Sequence, residues 1–168
     1  MPINMHQAIV PGVLQTLNAL SAIIDKAEAD ATTRKIDQAV LLGYRMAPDM
    51  FPLSRQFQLA TVFATGMVAR LAGVEVPKFE DTEKTLAEMK ARINKAVAFV
   101  QGIKPAALDG CESRDITIPV GGQPKTFSGQ DYVNQVALPQ FYFHSTVAYT
   151  ILRHCGLAIG KRDFLNRK

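Results

Sequence analysis

Residues 128–156 read SGQDYVNQVALPQFYFHSTVAYTILRHCG, one capped helical pattern that sets the architecture expected for the whole chain. Ser128 with Asp131 three residues on resembles a capping box, with Asp in the place usually held by Glu or Gln, and Gly156 supplies a C-terminal stop. The intervening segment, down to Cys155, predicts a helix about 40 Å long at ~1.5 Å per residue. Val133, Ala137, Gln140, His144, Val147 and Ile151 recur at alternating steps of four and three, which predicts an inward stripe that carries Gln140 and His144. Pro139 lacks the amide that would bond to the carbonyl of Gln135, so a kink is expected there.

Three more long helical patterns precede it. Val10, Val13, Leu14, Leu17, Leu20 and Ile24 form the stripe of a first helix, with Pro11 near its beginning and a polar stretch, Asp25 to Lys35, beyond it. Ile36 to Met46 adds a short helical piece before Ala47-Pro48-Asp49-Met50-Phe51-Pro52, where two prolines forbid a continuous helix. The second long helix is expected to start at Pro52, with the carboxylate of Asp49 serving its free N–H groups, and to stop at Gly73. Its stripe is Leu53, Phe57, Ala60, Ala64, Met67 and Leu71. The third has an acidic start, Glu80-Asp81-Thr82-Glu83, suited to the helix dipole, then Leu86, Met89, Ile93, Val97 and Val100, and ends near Gly102.

Ahead of the fourth helix the apolar period drops to two at Ile116, Ile118 and Val120. Gly121-Gly122 and a second extended run, Gln123 to Phe127, complete a small hairpin. Pro119 and Pro124 cannot donate ladder hydrogen bonds, so both strands are edges. The pattern predicts an all-α fold: an antiparallel four-helix bundle with long crossovers before Pro52 and before Ser128, and a small β-hairpin between helices three and four. One domain covers 1–168, a length that buries a core without staples.

With 48% apolar and 20% charged residues, the composition excludes a disordered or fibrous chain. No run of eighteen apolar residues exists, and Met1-Pro2-Ile3-Asn4 lacks a basic n-region, so neither a membrane span nor a signal peptide is expected and the cytoplasm is the expected compartment. Cys111 and Cys155 read as reduced thiols. The net charge of +4 is confined to residues 153–168, where Arg153, Lys161, Arg162, Arg167 and Lys168 face only Asp163, while the rest of the chain balances. A nucleic-acid binder spreads cations along a groove with aromatics between them, so these read instead as a solvated basic tail, with neither nucleic acid nor membrane as partner.

Only His6, His144 and His154 are available for histidine chemistry. His144 is expected to be buried, and bundle interiors are where facing helices gather metal or cofactor ligands. A lone interior imidazole reads first as a hydrogen-bonded core residue. Ser145 does not pair with it catalytically, because adjacent helical residues point about 100° apart, and no GxSxG elbow exists. Cys155 sits at a helix C-terminus, where the dipole raises a thiol pKa, and His154 is placed to complement that dipole. Phe141, Tyr142, Phe143 and Tyr149 spread around the fourth helix, so some leave the core and offer a homodimer face.

Several motifs carry a family resemblance over nearly the whole length. They are Arg45-Met46-Ala47-Pro48-Asp49-Met50-Phe51-Pro52-Leu53, Arg70-Leu71-Ala72-Gly73, Phe127-Ser128-Gly129-Gln130-Asp131-Tyr132, Phe141-Tyr142-Phe143-His144, Ile151-Leu152-Arg153-His154 and Ile159-Gly160-Lys161-Arg162-Asp163-Phe164-Leu165. In these the chain resembles the DinB-like four-helix bundles and, within them, a bacterial family of domain-of-unknown-function proteins. The resemblance implies a divalent metal held by one histidine of the second helix and an HxxxH pair of the fourth, and, in some members, thiol-dependent transferase or isomerase activity. His144 matches the second histidine of that pair, and Gln140 stands where the first belongs. On the second helix the polar candidates are Arg55, Gln56 and Gln58. One imidazole with neutral amide oxygens is a poor transition-metal site, so no cofactor is expected, and a divalent metal at His144 is the disfavoured alternative.

What remains is a candidate interior polar group, Gln58, Asn134, Gln140 and His144, beside the proline kink. It reads as a hydrogen-bond network that fixes helix register, or more sharply as a pocket for a small-molecule ligand. The expected function is a homodimeric binding or structural protein with a degenerate metal site; the alternative is a divalent-metal-dependent transferase or isomerase acting on a small thiol or electrophile.

Overall fold

The computed structural model describes residues 4–167; Met1 to Ile3 of the chain start and Lys168 of the basic segment lie outside them. The protein is mostly helical, with one small antiparallel sheet. Helix α1 (Met5–Arg34) starts with a capping box in which Asn4 accepts from Gln7 and Gln7 answers. It runs ten residues beyond Ile24, into the polar stretch Asp25 to Lys35, because Ala27 and Ala31 continue the buried stripe with small side chains. By length and composition α1 would suffice to cross a membrane, yet its apolar side is buried in the protein.

Helix α2 (Gln38–Leu42) is the short piece expected before the prolines. Helix α3 (Leu53–Ala72) buries its whole expected stripe and ends at Gly73 in the left-handed conformation. Pro52 is its N-cap rather than its first turn, and no side chain caps it, so Asp49 lies exposed and does not serve α3 as expected. Helix α4 (Leu86–Gly102) begins with a Thr85–Glu88 capping box, so the acidic run Glu80-Asp81-Thr82-Glu83, expected to be the start of this helix, lies ahead of it. Asp81 and Glu83 instead turn sideways to arginines.

Strands β1 (Asp115–Val120) and β2 (Gln123–Ser128) pair in antiparallel register, with Pro119 opposite Pro124. Gly121 and Gly122 both have positive φ, as a two-residue hairpin turn requires. Helix α5 (Gly129–Tyr132) leads through one π turn, Val133–Ala137, into α6 (Leu138–His154). Gly129 is required here, since a Cβ would run into the carbonyl oxygen of Cys111. The π turn is the form taken by the disturbance expected at Pro139: widening the turn makes room where the ring would meet a carbonyl.

Helix α3 packs against α6 on one side and α4 on the other, and α1 packs mainly against α4. Ser21 meets Asn94 and Asp25 meets Lys90, so α1 and α4 are antiparallel. Gln56 meets His144 and Arg70 meets Tyr132, so α3 and α6 are antiparallel as well. Gly12 faces Tyr142 and Arg34 reaches the Cys155 carbonyl, so α1 and α6 run the same way. The basic segment is not a free tail. A short helix, α7 (Lys161–Phe164), docks on α1 through Asp163 to Lys26 at 2.6 Å and through Gln15, which donates to the Leu165 carbonyl at 2.6 Å.

Candidate functional site

His144 is buried, as its position on the fourth pattern predicts. The stripe around it is shifted. A π turn takes up more residues per revolution than an α turn, so the inward face slides one residue along the chain. Phe141 and Ala148 take the buried places expected for Gln140 and Val147; Gln140 is exposed and Val147 only partly buried. Asn134, inside the π turn, is exposed too. Gln58 is buried, but its amide donates to Glu83 at 3.0 Å and accepts from Arg55 at 3.2 Å, on the α4 side of α3. The interior group expected from Gln58, Asn134, Gln140 and His144 is therefore not assembled.

The partner of His144 is Gln56, one turn into α3, with Oε1 at 2.8 Å from Nδ1. The atom assignment follows from the other end of the amide. Gln56 Nε2 donates to the Phe51 carbonyl at 3.0 Å, and a carbonyl only accepts, so Oε1 faces the imidazole and Nδ1 carries the proton. Phe63 stacks on the ring at 5.6 Å between centroids, nearly parallel, and Phe143 meets it edge-on. Burial, with the Arg55 guanidinium adding to it, pushes the imidazole pKa down to about 4, so the ring is neutral near pH 7.

The same glutamine ties down the proline-rich loop. Arg45 donates to the Met50 carbonyl at 2.7 Å and the Leu53 amide donates to Tyr44 at 2.9 Å, so the Arg45–Leu53 motif closes on itself. Gln56 then straps that loop to α6 through Phe51 and His144. Of the two other polar candidates on α3, Arg55 pairs with Asp81. Ser145 is buried beside His144, and its hydroxyl has no partner among the described residues.

A second polar cluster lies on the opposite flank of α3. The Arg92 side chain, only 2% exposed, meets Asp81 at 3.0 Å and Glu83 at 2.9 Å. It also donates to Thr61 Oγ1 at 2.7 Å and to the Glu80 carbonyl at 3.2 Å, and lies 4.7 Å over the Phe79 ring. In the sequence this cluster is marked only by Arg92 standing one residue before Ile93 of the α4 stripe and by the acidic run Glu80 to Glu83 that supplies its partners.

The remaining candidates stay isolated. His154 is exposed beside Tyr44, His6 is only partly buried, and burial raises the Cys155 thiol pKa despite the nearby Arg34. Among the described residues no three His, Cys, Asp or Glu side chains gather as a metal-binding set. His144, with Nδ1 already donating to Gln56, would bring one lone pair, on Nε2, and among the described residues no set of three such side chains forms around it to make the usual divalent-metal site.

A crystal structure of a DinB family member protein from Shewanella denitrificans is similar over 96% of this chain and 91% of that one, with 40% identity and a TM-score of 0.89. The fold is thus that of a DinB-type protein. The model of the domain of unknown function DUF1993 matches residues 5–165, and the chain belongs to that family. A search of curated proteins returns no match.

Proposed function

We propose that the protein is a DinB-type four-helix bundle, a single domain over 1–168, that has given up the three-histidine metal site and acts in the cytoplasm as a homodimeric binding or structural protein. The observation that carries this reading is the 2.8 Å bond between His144 Nδ1 and Gln56 Oε1. It gives the buried imidazole a neutral partner and a structural task, the strapping of the Arg45–Leu53 loop onto α6. Gln140, in the place of the first histidine of the implied pair, faces solvent and offers nothing. The dimer reading is supported by Tyr142, 40% exposed, and Phe143, 54% exposed, on successive positions of α6.

The test is metal content in protein purified without a histidine tag. Substoichiometric zinc and nickel, unchanged in His144→Ala, are expected. Stoichiometric metal lost in His144→Ala would favour the metal-dependent transferase or isomerase instead. Light scattering after size exclusion checks the dimer, which Phe143→Glu is expected to split.

A further inference from the structure

We propose that the recess between α1 and α7 binds the dianion of a phosphate monoester. The recess holds about 300 Å³, at the lower end of the range of small-molecule sites, and α1 lines it with Ala22, Ile23 and Lys26. The facing wall is Arg162, Asp163, Asn166 and Arg167, so three cations surround one carboxylate. That carboxylate is already engaged, since Asp163 accepts from Lys26 at 2.6 Å and from the Gly160 amide at 2.7 Å. The surplus is Arg162 and Arg167, and neither side chain has an ion-pair or hydrogen-bond partner among the described residues.

The backbone holds these two arginines together. Past α7 the chain turns back through Asn166, whose φ of 49° lies in the left-handed region. The Asn166 amide then donates to the Asp163 carbonyl at 3.0 Å and the Arg167 amide to the Arg162 carbonyl at 2.9 Å. A helix stop with this pair of bonds commonly brings apolar side chains together at the two positions held here by Arg162 and Arg167. Two like charges in that place repel unless an anion answers them. Gln15, donating to the Leu165 carbonyl at 2.6 Å, pins the turn to α1 and so keeps the recess open to its own width. The ordinary task of a basic side chain at a helix end, bonding the last carbonyls, is already done by the amides of the turn.

The ligand class follows from the donors. A guanidinium presents a planar fork that matches phosphate oxygens, and two forks in one recess suit a double charge, which a phosphate monoester carries near neutral pH and a carboxylate or phosphodiester does not. This site belongs to α1 and α7, and the proposal goes beyond the reading of the His144–Gln56 contact without resting on it.

The test is a titration of ¹⁵N-labelled protein with phenyl phosphate at about pH 7.5 and low salt, read by amide shifts, with benzenesulfonate as the singly charged counterpart. Saturable shifts at residues 22–26 and 160–167 are expected with phenyl phosphate, and binding about ten-fold weaker with benzenesulfonate. Arg162→Gln and Arg167→Gln, both at exposed positions, are each expected to weaken phenyl phosphate about ten-fold without lowering the melting temperature. Phosphatidic acid in phosphatidylcholine vesicles presents the same group at a surface: cosedimentation that depends on both arginines assigns the site to a headgroup, and its absence, with phenyl phosphate bound, to a free small molecule. Binding of neither form, equal affinity for benzenesulfonate, or affinity indifferent to both arginine variants would overturn the proposal. None of these outcomes bears on the metal content at His144.

Discussion

On the α6 side of α3 a single imidazole meets a single amide; on the α4 side a guanidinium meets two carboxylates, a hydroxyl and two backbone carbonyls. Both seams bury a basic side chain against the same helix, and they keep it by opposite means. His144, walled by Phe63 and Phe143, has no anion to hold a proton, so desolvation wins and it stays neutral. Arg92 is instead surrounded by acceptors, two of them charged. A buried base can be made tolerable by removing its charge or by answering it, and the second way is the costlier to interrupt.

The largest effect should come from breaking the answered charge. Arg92→Ala leaves Glu83, 11% exposed, without its cation and opens a gap beside Thr61, so a loss of about 3–5 kcal/mol is expected in urea unfolding. A loss under about 1 kcal/mol would show that the two seams do not differ as described.

The neutral seam should reveal itself through pH. The folded pKa of His144, about 4, lies below its ordinary 6.5, so the unfolded chain binds the proton first as pH falls. Its contribution is complete above about pH 6.5, declines through the interval down to 4, and changes no further below that. Roughly 3 kcal/mol is lost over that window by linkage. Unfolding curves at pH 7, 5.5 and 4 measure it, and the slope attributable to this residue should vanish in His144→Phe.

Next in size is Gln56→Leu, which strands the Nδ1 proton and frees the Phe51 carbonyl, for an expected cost of about 1–3 kcal/mol. A double-mutant cycle with His144→Phe should recover part of that cost, because no buried donor is then left unpaired. The smallest effect is expected from Asp81→Asn. Its side chain is 41% exposed and Glu83 remains, so the loss should stay within about 1 kcal/mol.

How much of this was legible in sequence depends on the range of the contact. The stripe Leu53 to Leu71, the stop at Gly73, the hairpin around Gly121-Gly122 and the burial of His144 are written in local spacing and turn chemistry. The last ten residues of α1 were hidden because alanine gives a faint apolar signal between charged neighbours. Gln140 leaves the expected stripe because a period of 3.6 does not hold through a stretch that contains a π turn; Pro139 marks the disturbance but not its form. The pairing of His144 with Gln56 spans 88 positions, and Gln56 looks no different in sequence from Gln58, two residues on, which faces the other seam. The acids of Glu80 to Glu83 invited a helix-dipole reading, and only the three-dimensional placement of Arg92 redirects them.

The most direct test follows the His144 imidazole resonances through a pH titration, without metal and with one equivalent of Zn²⁺. A midpoint near 4, a neutral ring with the proton on Nδ1, and no change on adding zinc are the expected results. A midpoint at or above 6.5, or a stoichiometric shift of that ring with zinc, would contradict the account.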